Sequence, residues 1–142
     1  MDYKIEEVKI LDKLEELGLA LPSGLTFFPE NLEVVTNKKD FIFTDSLLDV
    51  NKIFSKNNIS IATLGGDSDL YRSRKNADIY LPAIFFSLSL ISENSSIISI
   101  SLNVLSNYIS DFLKGSFGKN RSHLDFYVEK EKGKVKKISY NG

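Results

Sequence analysis

IYLPAIFFSLSLISENSSIISISLNVLSNYISDFLK, residues 79–114, carries a single charge, Glu93, before Asp111. How its apolar residues divide between helices and strands sets the architecture. Pro82 suits the first turn of a helix, and the spacing predicts one through "AIFFSLSLI" (83–91), apolar on nearly every side and therefore central or interfacial. "SIISISL" (96–102) alternates Ile98, Ile100 and Leu102 against Ser99 and Ser101, which predicts a strand. Asn103 then caps a helix in which Val104, Leu105, Tyr108, Ile109, Phe112 and Leu113 share a face, with Lys114 and Gly115 as its end. A membrane span needs roughly 20 apolar residues, and the run from Ile79 stops at "SENSS" (92–96), so burial in a core or against a partner is expected.

Upstream, "ISIATL" (59–64) reads as a strand ended by Gly65 and Gly66. Before it, "DFIF" (40–43) is a short strand. Thr44, Asp45 and Ser46 cap the following helix, whose buried side is Leu47, Leu48, Val50, Ile53 and Phe54. Pro22, Gly24 and Pro29 break the chain into two short strands near 25–28 and 32–36. At the start, Ile5, Val8, Leu11, Leu14 and Leu17 recur at near-helical spacing and Gly18 supplies a stop, predicting an amphipathic helix within residues 1–18. Downstream, "HLDFYVEKEKGKVKKISY" (123–140) is two strands turning at Lys132 and Gly133.

Strand and helix thus alternate about three times before a hairpin. The expected fold is α/β, one layered domain over residues 1–142, with a mostly parallel central sheet, helices on both faces and an antiparallel C-terminal hairpin. An α+β antiparallel sheet is the alternative. With 142 residues, 42% of them hydrophobic, the chain is long enough for one such core.

Composition removes several functions. There is no cysteine, which excludes a disulfide framework and thiolate chemistry. No metal or cofactor motif is present, so neither is expected. The acidic, amphipathic start lacks the pattern of a secretory signal, giving a cytoplasmic expectation. The richness in Lys, Ile, Asn and Ser suggests a bacterial source. The net charge of -1 hides an asymmetry. Residues 1–33 are acidic and residues 119–142 basic, so the two ends could pair with each other or offer a basic face to a partner.

At the carboxyl ends of parallel strands, where ligands gather, would stand Asp45 and then Gly65, Gly66 and Asp67. Arg72 and Arg74 follow. Glycines let backbone approach a phosphate, and two arginines grip one through paired donors. Only three arginines occur beside fifteen lysines, and two of them lie here. Against this, the spacing matches no phosphate-binding motif, and acids repel a phosphate. His123 and Asp125 share one face of a strand whose other face carries Leu124, Phe126 and Val128. That pair is expected in solvent without a catalytic partner. Lys130, Lys132, Lys134, Lys136 and Lys137, with Tyr127 and Tyr140, could bind single-stranded nucleic acid, but lysines on an exposed edge also prevent aggregation.

The expected function is a non-catalytic protein–protein interaction module, a homo-oligomer or small subunit of a cytoplasmic assembly. Its interface would draw on Phe85, Phe86, Leu88 and Ile91. Two alternatives stand beside it: binding of a nucleotide or phosphate ligand, or phosphoryl chemistry, by Asp45, Gly65, Gly66, Asp67, Arg72 and Arg74; and nucleic-acid binding by the hairpin.

Overall fold

The computed structural model describes residues 2–66, 70–72, 78–113 and 121–142. Its strands are β1 (Asp2–Val8), β2 (Leu25–Phe28), β3 (Phe43–Thr44), β4 (Ala62–Thr63), β5 (Tyr71–Arg72), β6 (Ile79–Tyr80), β7 (Ala83–Phe86), β8 (Ser122–Glu131) and β9 (Lys134–Asn141). The helices are α1 (Ile10–Glu16), α2 (Leu47–Lys56), α3 (Leu88–Glu93) and α4 (Ile97–Leu113). The expected cap at Lys114 and Gly115 lies outside the described residues.

The main sheet runs β1-β9-β8-β7-β2-β4, with β6 also joined to β8 and a separate parallel pair β3-β5. It is open and mixed. β7 and β6 lie parallel to β8, and β4 parallel to β2, whereas β1–β9, β9–β8 and β7–β2 are antiparallel. Parallel neighbours need a crossover. α2 supplies one between β2 and β4, and α3 with α4 supplies one between β7 and β8. The expected mostly parallel sheet is diluted because two segments read as helix are strands, and each adds an antiparallel pairing.

The first such segment is β1. Tyr3, Ile5 and Glu7 alternate with Lys4 and Glu6, a period-2 pattern that coexists with the helical spacing of Ile5 and Val8. The ladder to β9 decides between them, setting Glu6 opposite Lys137 and Glu7 opposite Lys136. The acidic start and basic end of the chain therefore meet. Only α1 remains helical, and it stops at Gly18, whose φ of 73° lets its N–H and that of Leu19 close back onto Glu15 and Leu14 at 3.0 and 2.8 Å.

The second is β7, where Ala83, Ile84, Phe85 and Phe86 are all buried. Four consecutive apolar residues suit a strand covered on both faces as well as a helix. Pro82 falls in the break between β6 and β7, and the helical start moves to Ser87, whose hydroxyl accepts from the Leu90 N–H at 3.1 Å. The expected strand at 96–102 is the beginning of α4. There Ile97, Ser101, Val104 and Leu105 are buried while Ile100 is exposed, a helical face that the Ile/Ser alternation concealed. Residues 32–36, expected as strand, form a turn that buries Leu32 and Val35.

One contiguous apolar cluster runs through the chain, with Phe27, Phe28, Phe43, Phe54, Phe85, Phe86 and Phe126 fully buried in it. Among the described residues no helix is long and apolar enough to cross a membrane.

Candidate functional site

Alternation along β8 sends Leu124, Phe126 and Val128 to one face of the sheet and His123, Asp125 and Tyr127 to the other. Opposite this second set, β9 places Asn141, Ser139 and Lys137 in register. His123, Asp125 and Tyr127, with Asn141 and Ser139, form the floor of a cleft of about 540 Å³, whose other wall is Glu30, Asn31, Val34, Thr44 and Arg72.

Local chemistry holds that wall. The Asn31 amide donates to the Asp40 carbonyl at 2.8 Å and its oxygen accepts from the Ile42 N–H at 3.0 Å. The turn after β2 is thereby pinned against the segment leading into β3. Arg72 is carried by the β3–β5 pair, where the Asp45 N–H donates to the Arg72 carbonyl at 3.1 Å. Its side chain is half exposed, and Nε lies 3.0 Å from Glu30 Oε1.

On the floor, the His123 ring is clamped on three sides. Nε2 donates to Asp78 Oδ2 at 3.0 Å, Nδ1 lies 2.7 Å from the Asn141 side-chain oxygen, and Tyr80 stacks on the ring at 4.5 Å and 14°. The bond from His123, followed by one from the Arg121 N–H, holds the Asp78 carboxyl below the usual carboxylate range. The latch therefore exists above that ordinary range and is lost as acid protonates Asp78 through its lowered value. Asp125, half-buried between His123 and Tyr127 and opposite Ser139, makes no side-chain hydrogen bond or ion pair among the described residues, and its charge acts on Lys137.

Beyond Asp125 the cleft is closed by charge. The Tyr127 hydroxyl donates to Glu33 Oε2 at 3.3 Å, Lys137 Nζ donates to the same oxygen at 2.7 Å, and that ammonium sits 5.6 Å from the Tyr127 ring centre. Burial, reinforced by the charge of Glu33, pushes the Tyr127 phenol far above its usual range. In the unfolded chain this phenol ionises near pH 10, while the folded chain keeps its proton, so folding stability falls as pH rises beyond that point. Tyr127→Phe removes one hydrogen bond, costing about 0.5–1.5 kcal/mol at pH 7. It also removes an alkaline loss of roughly 1.4 kcal/mol per pH unit. Denaturant unfolding should show the deficit of Tyr127→Phe vanishing by about pH 11; an unchanged deficit would mean that the phenol titrates normally.

Arg72, expected as a ligand residue, lines this cleft together with His123 and Asp125, which were expected to lie idle in solvent. Asp78 and Asn141, which orient His123, were not singled out, because each reaches it only through strand pairing. Gly65 and Gly66 follow β4, and neither they nor Asp45 line the cleft. Asp67 and Arg74 lie outside the described residues. Phe85 and Phe86 have no exposed surface, because β7 is interior to the sheet; Leu88 and Ile91 of α3 are half-buried. The apolar surface that the chain does expose includes Tyr3 and Ile5, on the edge strand β1.

Comparison with protein-family models, with curated proteins and with solved structures found no match. Function is therefore argued from the chemistry of these surfaces alone.

Of the hairpin lysines, Lys137 is held by Glu33, Lys134 by Glu131 at 3.3 Å, and Lys136 stands opposite Glu7. Acids thus interleave the basic row.

Proposed function

We propose that the chain binds a small zwitterionic molecule of the α-amino-acid class in the cleft between Arg72 and Asp125. The observation that carries this reading is the pairing of opposite charges in one cleft: a guanidinium half exposed beyond its Nε contact to Glu30, and a half-buried carboxylate with no side-chain hydrogen bond or ion pair among the described residues. Its volume is in the range of small-molecule sites, and its walls mix charged and polar groups with apolar ones such as Val34, Leu81 and Ala83, so the ligand must supply hydrogen bonds and charge as well as apolar area. Arg72 would take a carboxylate through two parallel donors. Asp125 would take an ammonium, and the Ser139 hydroxyl lies beside it.

A dianionic phosphate fits less well. Glu30 already shares the guanidinium and Asp125 adds negative charge to the same space, so a nucleotide would meet repulsion, and Lys137, whose charge reaches Asp125, is already held by Glu33. The His123–Asp78 pair is read as a support for the floor, with its imidazole fixed by Asp78, Asn141 and Tyr80.

Isothermal titration calorimetry with a panel of free amino acids tests the reading. Each active compound is compared with its amine-only and acid-only analogues and with inorganic phosphate. A zwitterion is expected to bind, the singly charged analogues to bind at least tenfold more weakly, and Asp125→Asn and Arg72→Gln each to lose at least tenfold, about 1.4 kcal/mol. Absence of saturable binding by any zwitterion would sink the proposal, as would phosphate binding indifferent to Asp125.

A further inference from the structure

β1 is the terminal strand of the main sheet, and all seven of its residues, Asp2 to Val8, pair on one side with β9. Nothing among the described residues pairs with the other side. In an antiparallel ladder every second residue of an edge strand turns its N–H and C=O outward. Natural edges are blunted by proline, bulges, shortness or charged side chains. β1 has no proline and its register to β9 runs unbroken from Asp2↔Asn141 to Val8↔Val135; its charges include both signs, so they deter strands of the wrong register and admit one that matches them.

The side chains add a second observation. Tyr3 and Ile5 are 65% and 53% exposed. They stand opposite Tyr140 and Ile138, and the Tyr3 and Tyr140 rings lie 6.2 Å apart. Phe126 pairs with Ile138, and Ile138 with Ile5, so a row of apolar side chains runs from the core outward to the open edge and stops there. On the opposite face of the strand, Lys4 and Glu6 are neighbours, with Lys4 Nζ 3.9 Å from Glu6 Oε2.

We propose that this edge joins a second copy of the chain, β1 lying antiparallel to β1 about a two-fold axis at Ile5. The argument rests on self-complementarity. With Ile5 opposite Ile5, Lys4 of each copy faces Glu6 of the other, giving two opposite-charge pairs. The row Phe126, Ile138, Ile5 then continues directly into Ile5, Ile138, Phe126 of the second copy. On the other face, each Lys4 meets the second copy's Glu6, and behind that glutamate stands its Lys137. The charges therefore alternate across the junction.

Registers that keep both apolar sides on one face move in steps of two residues. Centring the axis on Lys4 would put Lys4 against itself and Asp2 against Glu6. Centring it on Glu6 would put Glu6 against itself and Ile5 against Glu7. Centring it on Tyr3 would pair Asp2 with Lys4 but take Ile5 off its own kind, so the register on Ile5 alone both pairs opposite charges and sets the exposed isoleucine against itself. The result is an isologous dimer with one continuous sheet; β1 does not line the cleft of Arg72 and Asp125, although Lys4 stands across from its Ser139.

The decisive experiment is a charge-swap series followed by light scattering. The wild-type chain is expected at twice its 16.0 kDa mass. Lys4→Glu and Glu6→Lys each set like charges opposite twice and should raise the dimer dissociation constant at least tenfold. Mixing the two variants restores both pairs in a heterodimer, and the double variant restores them in a homodimer. Rescue on mixing requires folded chains, so it also excludes unfolding as the cause of dissociation. A wild-type chain that stays monomeric at high concentration overturns the proposal, including the outcome in which the edge instead accepts an extended peptide of another protein. Single variants as dimeric as wild type, or a mixture that stays monomeric, overturn the register.

Discussion

Replacing Phe126 by alanine should remove about 3–5 kcal/mol of folding stability, the range for truncating a fully buried phenylalanine. Phe126 has no exposed surface and sits on β8, a strand flanked on both sides by others. Its ring meets Phe86 edge-on at 4.8 Å and Tyr140 at 5.9 Å and 77°. Phe86 comes from β7 and Tyr140 from β9, so the one side chain ties together the pairings on both sides of β8. Loss of the ring leaves a cavity whose walls are pleated strands, and hydrogen-bonded strands collapse poorly into empty space. For a domain of this size the change corresponds to a fall in Tm of roughly 10–20 °C. Phe126→Leu retains most of the volume and should cost less than half as much. Denaturant unfolding of the two variants checks this, and near-equal effects would show that the site adjusts freely.

A comparable loss is expected from Glu129→Ala. Glu129 is 7% exposed, and its two carboxylate oxygens are committed to separate backbone donors. Oε1 accepts from the Leu88 N–H at 2.8 Å and Oε2 from the Gly133 N–H at 2.9 Å. The first donor belongs to the start of α3, where N–H groups lack intrahelical partners. The second is in the hairpin turn, where Gly133 adopts φ 77°. One side chain thus fastens the crossover helix to the hairpin across 41 residues of sequence. Alanine leaves both donors without an acceptor, at about 1–3 kcal/mol for each buried one, so a total of roughly 2–4 kcal/mol is expected after partial access of water. Glu129→Gln keeps one acceptor oxygen and should lose about half of this. Hydrogen exchange gives the local readout: the Leu88 and Gly133 amides should exchange faster in Glu129→Ala than in wild type, whereas equal protection would deny the carboxylate this role.

Neither residue announced its role in the linear chain. Phe126 was legible as a core residue from the alternation of Leu124, Phe126 and Val128, because period 2 in a hairpin needs only local information. Its partners were not, since Phe86 was assigned to a helix. In the linear chain Glu129 is only one of two acids, with Glu131, among the lysines of the hairpin. Its burial follows from α3 and the turn converging on it, which no local pattern encodes. The cleft divides in the same way. Arg72 stood out as a rare arginine in a lysine-rich chain, and Asp125 followed His123 at strand spacing. That the two line one cavity depends on β3 pairing with β5 while β8 pairs with β6, β7 and β9.

By itself the sequence determined what short-range physics controls. The C-terminal hairpin with its turn at Lys132 and Gly133, the helix α2, the stop at Gly18 and the mixed α/β character all follow from periodicity and caps, which act within a few residues. The attraction of the acidic start to the basic end was also visible, as a matter of charge alone. Tertiary structure decided the rest wherever one stretch satisfied two periods. Residues 4–8 fit a helix and a strand, and the ladder to β9 chose the strand. Residues 83–86 were apolar throughout, and pairing on both sides, with β2 and β8, made them a central strand. Residues 97–102 alternated like a strand but continued an apolar helical face into α4. In each case the intrinsic preferences differ by tenths of a kcal/mol per residue, whereas a shared ladder or a buried face contributes several in total, so the long-range partner determines the outcome.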